Sequence, residues 1–545
     1  MKRFLAAALG VTLASGMAHA QAPAKPKLIV AISIDQYSSD IFNEYRAQMT
    51  GGIKRLMDGV VFPSGFQSHA ATETCPGHST ILTGSRPSRN GIIANEWFDP
   101  ASTRTGPDGR IDYKVYCSED ERVPGTNSRA YVVSPLHLKV PTLGDRMKAV
   151  TPASRVVAVA GKDRSAVMMS GHNADQVWWW EGKGFTTYRD RPGAPPAAIA
   201  RANAVAQAAI DKPVTLKLPP ACAARNFATP IEGGSVGTLQ PRKAGDARGF
   251  RASADFDRAV LAGAEGLFAD MKLGRGDATD VLAIGLSATD YVGHTWGTAG
   301  GETCAQLLAV DALLGKFFAM LDKSGVPYAV ALTADHGGHD LPERNRTNAV
   351  PAAKRVGLMP NLAGISAQLS AKYGIPGPVL LGDGIFGEIY LSKAVPPARR
   401  DAVIADARAA MLTHPDVHTV FTRAQLSAIP SPTGSPADWT LEQRARASFD
   451  PDRSGELVVA LKELVTPIPS SGLGYVATHG SIWNYDRRVP ILFWQKGLRH
   501  FEQPNGVETV DILPTLASLI GLAIPAGEID GRCLDLVAGA GSNCP

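Results

Sequence analysis

Three aspartates and three histidines stand where they could bind metal ions. They are Asp35, Asp290, His294, Asp335, His336 and His479. Asp290 and His294 have the i, i+4 spacing that puts two side chains on one face of a helix. Such oxygen and nitrogen ligands suit Zn²⁺, and a pair of metal ions about 4 Å apart can clamp both oxygens of a phosphoryl displacement. The residue types therefore predict metal-assisted chemistry on phosphate.

Each of these residues also has an ordinary explanation when it is taken alone. Asp290 and His294 could be a surface pair on a capped helix, and Asp335-His336 before two glycines could belong to a turn. His479 carries no information by itself. Mn²⁺, Co²⁺ or iron would accept the same kinds of ligand. The combination of all six, mostly at predicted strand ends, favours the metal site.

A threonine hydroxyl in residues 72–80 could serve as the nucleophile. Pro76 and Gly77 predict a tight turn after Thr74, and residues 79–82 predict the start of a short helix. Free amide groups at a helix N-terminus favour an anion. A simple capping turn is the alternative. A neighbouring divalent cation would activate Thr74, because it stabilises the alkoxide form of the hydroxyl.

Buried strands alternating with helices must position these side chains. Near-continuous apolar runs predict five strands, at residues 28–34, 155–160, 281–286, 328–333 and 489–494. Helical patterns lie between them, for example at residues 258–273 and 304–323. The alternation predicts an α/β fold with a central, mostly parallel sheet flanked by helices. Because ligands bind beyond the carboxyl ends of such strands, we expect Asp35, Asp290 and Asp335 to converge there.

The first 20 residues have the pattern of a secretory signal peptide. Lys2 and Arg3 precede an apolar stretch at residues 4–14, and Ala18-His19-Ala20 provides small residues for cleavage. A retained anchor is the alternative. No later apolar run reaches the roughly 20 residues that a membrane helix needs, so no membrane anchor is expected. The pattern predicts export to the periplasm.

Composition and cysteine content narrow the class of protein. A formal net charge of +4 over 545 residues, with no long basic run, argues against nucleic acid as a main partner. Six cysteines in an oxidising compartment permit up to three disulfides of undetermined connectivity, and Cys533 and Cys544 are close enough to pair. Residues 21–545 are predicted to form a single catalytic domain with insertions near 96–141, 178–251 and 380–470, the last of which could cap the site. A monomer is expected.

The chain resembles the alkaline phosphatase superfamily, and specifically the phosphate-insensitive bacterial alkaline phosphatases that use a threonine nucleophile. The nucleotide pyrophosphatases/phosphodiesterases are close relatives of that group. The matching motifs are Thr74 in T-x-P-x-H, T-G-x-x-P at 83–87, G-I-I-A-N at 91–95, G-K-D-R at 161–164, Asp290 to His294, A-D-H-G at 334–337, T-H-G at 478–480 and the segment 509–516.

The resemblance implies a fold, a metal pair and roles for individual residues. It implies an alkaline phosphatase-like α/β domain that binds two Zn²⁺ ions. One ion would be held by Asp290, His294 and His479, and the other by Asp35, Asp335 and His336, with Thr74 as an exchangeable ligand. The substrate-binding residues would be Asn95, which contacts a phosphoryl oxygen, and Lys162 and Arg164, which contact the extra negative oxygen of a monoester.

The sequence predicts a phosphate monoesterase that works through a phosphothreonine on Thr74. Two alternatives stay open: a phosphodiesterase or nucleotide pyrophosphatase on the same scaffold, and a non-catalytic metal- or phosphate-binding protein. A sulfatase is disfavoured, because Cys75 is not followed by the C-x-P-x-R pattern of that group. Lys162 and Arg164 taken alone could be a solvated turn, but in this context they indicate phosphate monoesters, which are small-molecule substrates.

Overall fold

The structure is a computed structural model that describes residues 24–191, 193–472, 474–539 and 541–545. The predicted signal peptide, residues 1–20, lies outside the described residues. The described strands, β1–β20 in chain order, are Leu28–Ile34, Val60–Phe66, Glu96–Phe98, Lys114–Tyr116, Val156–Ala160, Gln176–Glu181, Gly184–Thr186, Thr229–Ile231, Gly234–Val236, Asp280–Leu286, Tyr328–Thr333, Lys354–Arg355, Leu380–Leu381, Gly387–Leu391, Val417–Thr422, Leu457–Leu461, Val465–Thr466, Arg488–Gln495, Phe501–Glu502 and Val507–Glu508.

The described α-helices, α1–α18 in chain order, are Ser39–Tyr45, Gly52–Met57, Thr74–Thr83, Pro87–Asn90, Leu143–Val150, Asp163–Ser170, Ala197–Ile210, Ala247–Arg251, Ala254–Asp270, Ala288–Trp296, Gly301–Ser324, Pro342–Thr347, Leu362–Tyr373, Arg400–Leu412, Arg423–Ala428, Leu441–Ser448, Asn484–Arg487 and Ile512–Leu519. Short 3₁₀ segments are found at Arg46–Gln48, Pro220–Arg225, Pro397–Arg399 and Thr509–Asp511.

A ten-stranded central sheet organises the molecule. Its strand order is β19-β2-β18-β11-β1-β10-β5-β6-β7, with β20 also paired to β2. The pairs β11-β1, β1-β10, β10-β5 and β5-β6 are parallel, whereas β18 and β7 run antiparallel to their neighbours. The predicted α/β fold with a mostly parallel sheet and flanking helices is confirmed. The five predicted strands correspond to β1, β5, β10, β11 and β18.

Strand β1 shows why the sequence folds in this way. All seven of its residues are buried. Leu28, Val30 and Ile32 face one apolar cluster, and Ile29 and Ala31 face a second cluster on the other side of the sheet. Burial on both faces removes the polar–apolar alternation of a half-exposed strand and favours a continuous apolar run. The neighbouring strands and the helices on the two faces supply most of the rest of these cores.

Among the described residues, helix α11 is the one helix whose length and apolar composition would allow it to cross a membrane. Half of its most apolar window is buried inside the fold. Leu307, Val310, Leu314 and Phe317 are fully buried in the cluster on the first face of the sheet. The apolar composition of α11 is therefore accounted for by packing in the core.

The three segments predicted as insertions differ in structure. Residues 96–141 include the small β3-β4 pair. Residues 178–251 begin with most of β6 and with β7, which extend the edge of the central sheet. Residues 380–470 include the four antiparallel strands β13–β16, here named the cap sheet. The cap sheet and helices α13 and α14 enclose an apolar cluster of their own, with Val379, Leu391, Val403, Met411 and Val420 at its centre.

Candidate active site

Three neighbouring strands of the central sheet deliver the site residues to one edge. β1 pairs in register with β11 on one side and with β10 on the other. Asp35 directly follows β1, and Asp335 and His336 follow the end of β11. β10 ends at Leu286 and leads into α10, which presents Asp290 and His294 from successive turns. The predicted convergence at the carboxyl ends of parallel strands is observed.

The six predicted ligands lie close together, and His336 is near enough to share an ion either with Asp35 and Asp335 or with Asp290 and His479, whereas His294 belongs to neither of these sets. We name Asp35, Asp335 and His336 the inner group, and Asp290, His294 and His479 the outer group. In the inner group, His336 Nε2 lies 3.4 Å from Asp35 Oδ1 and 3.3 Å from Asp335 Oδ2. In the outer group, Asp290 Oδ1 lies 3.2 Å from His294 Nε2 and 3.4 Å from His479 Nε2. His336 stacks on His479 with 3.5 Å between ring centroids, so the two groups adjoin.

All three histidines are oriented by backbone carbonyl oxygens. The Nδ1 atoms of His294, His336 and His479 lie 2.8, 2.9 and 2.8 Å from the carbonyl oxygens of Ala477, Gly337 and Thr72. A carbonyl oxygen can only accept a hydrogen bond, so each Nδ1 carries the proton. Each Nε2 lone pair is therefore left free and directed at the carboxylates, as in histidines that bind metal ions.

The donor atoms fit a metal cofactor. Asp35 Oδ1, Asp290 Oδ1, Asp335 Oδ2 and His336 Nε2 are buried and have no hydrogen-bond partner among the described residues. Buried polar atoms are normally hydrogen-bonded, so several such acceptors in one place need another explanation. A divalent cation satisfies them, because carboxylate oxygens and neutral imidazole nitrogens are its usual ligands. Asp290, His336 and His479, and separately Asp35, Asp335 and His336, are close enough to share an ion.

Lys162 connects the two groups. Its Nζ atom lies 2.6 Å from Asp35 Oδ2 and 2.6 Å from Asp290 Oδ2. Burial raises the pKa of Asp35 well above its usual range, and the nearby Asp335 adds to that effect. Burial acts in the same direction on Asp290, but His294 and Lys162 outweigh it and hold the pKa of Asp290 well below normal. Neighbouring groups whose pKa values are shifted strongly in opposite directions are typical of functional sites.

Thr74 begins helix α3, which differs from the predicted turn. The helix starts at Thr74, five residues earlier than expected, and Pro76 lies in its first turn. Proline is tolerated there because the amide groups of the first turn have no partner inside the helix. Gly77 does not form a turn but allows close packing. A Cβ atom added at this position would lie 1.8 Å from the carbonyl oxygen of Asp335. Helix α3, which carries Thr74, therefore packs directly on the backbone of the inner group.

Two of the predicted substrate-binding residues lie beside the Thr74 hydroxyl, and the third, Asn95, is bonded to the residues on either side of Thr74. Thr74 Oγ1 lies 3.4 Å from Lys162 Nζ and 3.5 Å from Arg164 Nη2. Two hydrogen bonds hold Asn95. Its side-chain Oδ1 accepts from the backbone amide of Cys75 at 2.8 Å, and its backbone amide donates to Glu73 Oε2 at 2.7 Å. Neither bond uses Asn95 Nδ2, which is a hydrogen-bond donor. The arrangement can bind an anion against a nucleophile.

A tyrosine–aspartate network behind Arg164 was not predicted. Tyr116 OH donates to Asp163 Oδ1 at 2.8 Å and accepts from Arg164 Nη1 at 3.2 Å. Tyr131 OH donates to the other oxygen of Asp163 at 3.0 Å. Both tyrosines lie in the segment 96–141, whose irregular sequence carries no periodic signal. Its richness in tyrosine and the presence of Cys117 were the signals available.

Three disulfides join the six cysteines: Cys75 with Cys117, Cys222 with Cys304, and Cys533 with Cys544. The predicted Cys533–Cys544 pairing is observed. The first bond connects the residue after Thr74 to the residue after Tyr116, so it ties helix α3 to the network around Arg164. Cys75 has no free thiol, which agrees with its exclusion as a sulfatase-type nucleophile.

Comparisons with known proteins agree with this geometry. Residues 29–482 match the family described as type I phosphodiesterase / nucleotide pyrophosphatase. Alkaline phosphatase PhoK of Sphingomonas sp. is 54% identical over 527 residues, covering 95% of this chain and 92% of that protein. Alkaline phosphatase PhoD of Zymomonas mobilis is 46% identical over 523 residues, covering 95% and 89%. The crystal structure of wild-type alkaline phosphatase PafA is 25% identical, covers 95% of this chain and 100% of that one, and has a TM-score of 0.80.

The family match spans most of the chain, and the whole fold is shared with a solved alkaline phosphatase. The predicted resemblance is thereby confirmed, whereas the roles of single site residues stay predictions. The chain belongs to the type I phosphodiesterase/nucleotide pyrophosphatase family within the alkaline phosphatase superfamily, and it is a phosphatase.

Proposed function

We propose that this phosphatase is an exported, zinc-dependent alkaline phosphatase that hydrolyses phosphate monoesters through a phosphothreonine on Thr74. The observation that carries the proposal is the position of Thr74 Oγ1, within 3.5 Å of both Lys162 and Arg164. The two ligand groups adjoin the same lysine. Proteins named alkaline phosphatase at 54% and 46% identity support the proposal.

The residues of this chain divide the reaction between them. Thr74 Oγ1 loses its proton and forms a bond to phosphorus while the bond to the leaving oxygen breaks, and the leaving group departs as the alcohol after taking up a proton. Water then hydrolyses the phosphothreonine, which releases inorganic phosphate and restores the Thr74 hydroxyl. Asn95, Lys162 and Arg164 hold the non-bridging oxygens, where positioned donors stabilise developing charge. Zinc bound by the inner and outer groups would supply positive charge and lower the pKa of the threonine hydroxyl and of water.

Two cations beside one hydroxyl favour monoesters over diesters. A phosphate monoester is a dianion, whereas a diester carries one negative charge. Lys162 is buried among carboxylates that raise its pKa despite the opposing effect of burial, so it is positively charged over the physiological range. Arg164 is always charged and presents a planar fork that suits phosphate oxygens. The additional oxygen of a monoester therefore gains an interaction that a diester lacks.

Further parts of the proposal concern metals, location and assembly. We propose two Zn²⁺ ions per chain, one for each ligand group. The signal-peptide pattern at residues 1–20 supports secretion to the periplasm. Three disulfides suit that oxidising compartment. The protein would act as a monomer on small-molecule phosphate esters, without a membrane anchor.

The proposal is tested by comparing kcat/KM for p-nitrophenyl phosphate and for its methyl diester, using zinc-loaded mature protein. We expect the monoester to be preferred by at least about 100-fold, since each 1.4 kcal/mol of selective stabilisation gives a factor of ten. A preference for the diester would instead select the phosphodiesterase alternative that the family name suggests. No turnover of either substrate would overturn the catalytic proposal.

The nucleophile is tested with a matched pair of variants. Thr74→Val has the same shape but lacks the hydroxyl, and we expect it to lose at least about 10³-fold in kcat. Thr74→Ser keeps a hydroxyl and should retain substantial activity. Intact-mass spectrometry after acid quenching should detect a phosphorylated form of wild type and Thr74→Ser, but not of Thr74→Val. Phosphorylation of Thr74→Val would place the nucleophile elsewhere.

A further inference from the structure

A cavity lies between the cap sheet and the nucleophile segment. Its volume is about 170 Å³. One wall comes from β14, β15 and β16 of the cap sheet, and the opposite wall comes from Ala70, Ala71, Glu73, Ala94, Glu96 and residues 479–482. The proposed chemistry uses none of the side chains on the cap wall.

The cavity adjoins the catalytic residues directly. Glu73, which precedes Thr74, and Ala94, which precedes Asn95, both line it. His479 of the outer group lines it as well, so the cavity begins where the outer group ends. Part of a substrate that extends from phosphorus towards His479 would enter this space.

The lining is mainly apolar and contains an unsatisfied hydroxyl. Phe98, Phe386, Phe421 and Val458 contribute apolar surface. The ring of Tyr390 also lines the cavity, with its centroid 5.8 Å from that of Phe98. Tyr390 is buried, and its hydroxyl has no hydrogen-bond partner among the described residues. A buried hydroxyl without a partner is costly, so an occupant with an acceptor would be favoured.

The charged residues at the cavity are mostly acidic. Four carboxylates line it: Glu73, Glu96, Asp383 and Glu388. Lys114 pairs with Glu96 at 3.0 Å and with Asp383 at 2.7 Å, which neutralises part of this charge. Among the described lining residues Lys462 is the only cation, and its side chain is exposed. A second negative group on the substrate would therefore be repelled.

We propose that this cavity binds the leaving group of the substrate and selects monophosphates of uncharged, ring-sized alcohols or phenols that carry a hydrogen-bond acceptor. The inference rests on the proposed monoesterase function and adds its substrate class. The size is appropriate, since an apolar cavity of about 150 Å³ holds a benzene ring. Tyr390 OH donates the hydrogen bond that the occupant accepts, and the aromatic lining removes its ring from water.

The test uses aryl phosphates that differ only in the para group. These are phenyl phosphate, 4-acetylphenyl phosphate, which adds a neutral acceptor, and 4-carboxyphenyl phosphate, which adds a negative charge. We expect wild-type kcat/KM for the acetyl compound to exceed that for the carboxyl compound by at least about tenfold, as a single like-charge contact costs on this scale. Comparable values for the two compounds would contradict the proposed selection against anions.

A variant of Tyr390 in the cap sheet and a variant of Tyr373 at the end of α13 provide a matched comparison. Tyr390→Phe removes the cavity hydroxyl and should lower kcat/KM for 4-acetylphenyl phosphate about five- to tenfold, with phenyl phosphate unchanged. Tyr373→Phe is the control, because the Tyr373 hydroxyl bonds to Asp406 and does not line the cavity. Equal effects of Tyr390→Phe on both substrates would refute the hydrogen bond.

A variant that places a larger side chain in the cavity tests whether the leaving group occupies it, without removing a polar group. Val458→Phe should reduce kcat/KM for 1-naphthyl phosphate at least about threefold more than for phenyl phosphate. Its circular dichroism and melting temperature would show whether the cap sheet is intact. If wild type hydrolyses phenyl phosphate but these variants leave its selectivity unchanged, the leaving-group inference fails and the proposed function stands. If wild type hydrolyses no monoester, the proposed function itself fails.

Discussion

The inner and outer ligand groups have similar chemistry but very different surroundings. Asp335 and His336 in the inner group have no exposed side-chain surface, and Asp35 has 1%. In the outer group, His294 is 15% exposed and His479 is 7% exposed. The inner residues follow two directly paired strands, whereas the outer residues come from a helix and a loop. Because of this difference, we expect the inner group to fix the position of Thr74 and the two histidines of the outer group to face substrate and water.

The largest difference is expected when one ligand is changed in each group. Asp335→Asn should lower kcat/KM at least about 10³-fold, and added zinc should not restore it, because water cannot reach a fully buried position. His294→Asn should weaken metal binding by about 10- to 100-fold and recover activity at high zinc concentration, since solvent can replace an exposed ligand. Activity and bound zinc would be measured across a zinc titration.

The melting temperature of the Asp335→Asn variant serves as a control for its folding. Asp335 Oδ1 accepts hydrogen bonds from the amides of Gln36 and His336, and the carbonyl oxygen of asparagine can do the same. A melting temperature close to that of wild type would therefore be expected for the metal-free proteins. Recovery of both variants at the same zinc concentration would show that burial does not distinguish the two groups.

A smaller effect is expected at Tyr116, which touches neither ligand group. Tyr116→Phe removes the hydrogen bond that Arg164 donates, and we expect kcat/KM for a monoester to fall about tenfold while that for a diester changes little. Tyr131→Phe is the matched control, because Tyr131 bonds to the same Asp163 but not to Arg164. Similar losses in both variants would assign the effect to Asp163 instead of to Arg164.

The smallest effect on activity is expected at Asp257, which contacts the start of the helix that carries Asp290 and His294. Asp257 Oδ1 accepts from the Ala288 amide at 3.0 Å, at the start of the helix that carries Asp290. Burial raises the pKa of Asp257 to about 7. The unfolded value is about 3.9, so the folded state holds this proton between about pH 4 and 7. The contribution to stability is complete below pH 4 and is lost as the pH rises through 7.

Asp257→Asn should remove that dependence on pH. We expect the melting temperature of the variant to fall less than that of wild type between pH 4 and pH 8, with kcat/KM nearly unchanged at pH 8. The full difference corresponds to at most about 4 kcal/mol in the free energy of unfolding. Parallel melting curves for the two proteins across this range would show that Asp257 does not titrate there.

The residues explain which parts of this molecule were predictable. The strands before Asp35 and Asp335 were located to the residue, because burial on both faces leaves a continuous apolar run. The start of helix α3 was misplaced, because Pro76 and Gly77 suggest a turn in sequence but fit a first helical turn in the structure. His479 carries no local signal in its loop. Its contacts with Asp290 and His336 form only in the tertiary structure, and the resemblance to known phosphatases was the basis for predicting its role.

The network around Arg164 could not be predicted for a related reason. Tyr116 and Asp163 are 47 residues apart, and they meet because the 96–141 segment folds back onto helix α6, which begins at Asp163, and is tied to helix α3 by a disulfide. The Cys75–Cys117 bond marks this contact, but six cysteines alone allow many pairings. Irregular segments have no periodicity from which their contacts can be read.

The separate apolar cluster of the cap sheet has a consequence for the evolution of this enzyme. Val403, Met411 and Val420 are buried with other cap residues, away from the cores that hold the ligand strands. Cavity-wall residues that belong to this cluster, such as Val459 and Leu461, can therefore change without disturbing the packing beneath Asp35 or Asp335, whereas Tyr390 packs in the core that contains Ile29 and Ala31. Gly77, in contrast, has no room for even one added carbon atom. If the cavity binds the leaving group as proposed, we expect substrate preference to diverge between lineages through the cap sheet while the residues that carry out the reaction are retained.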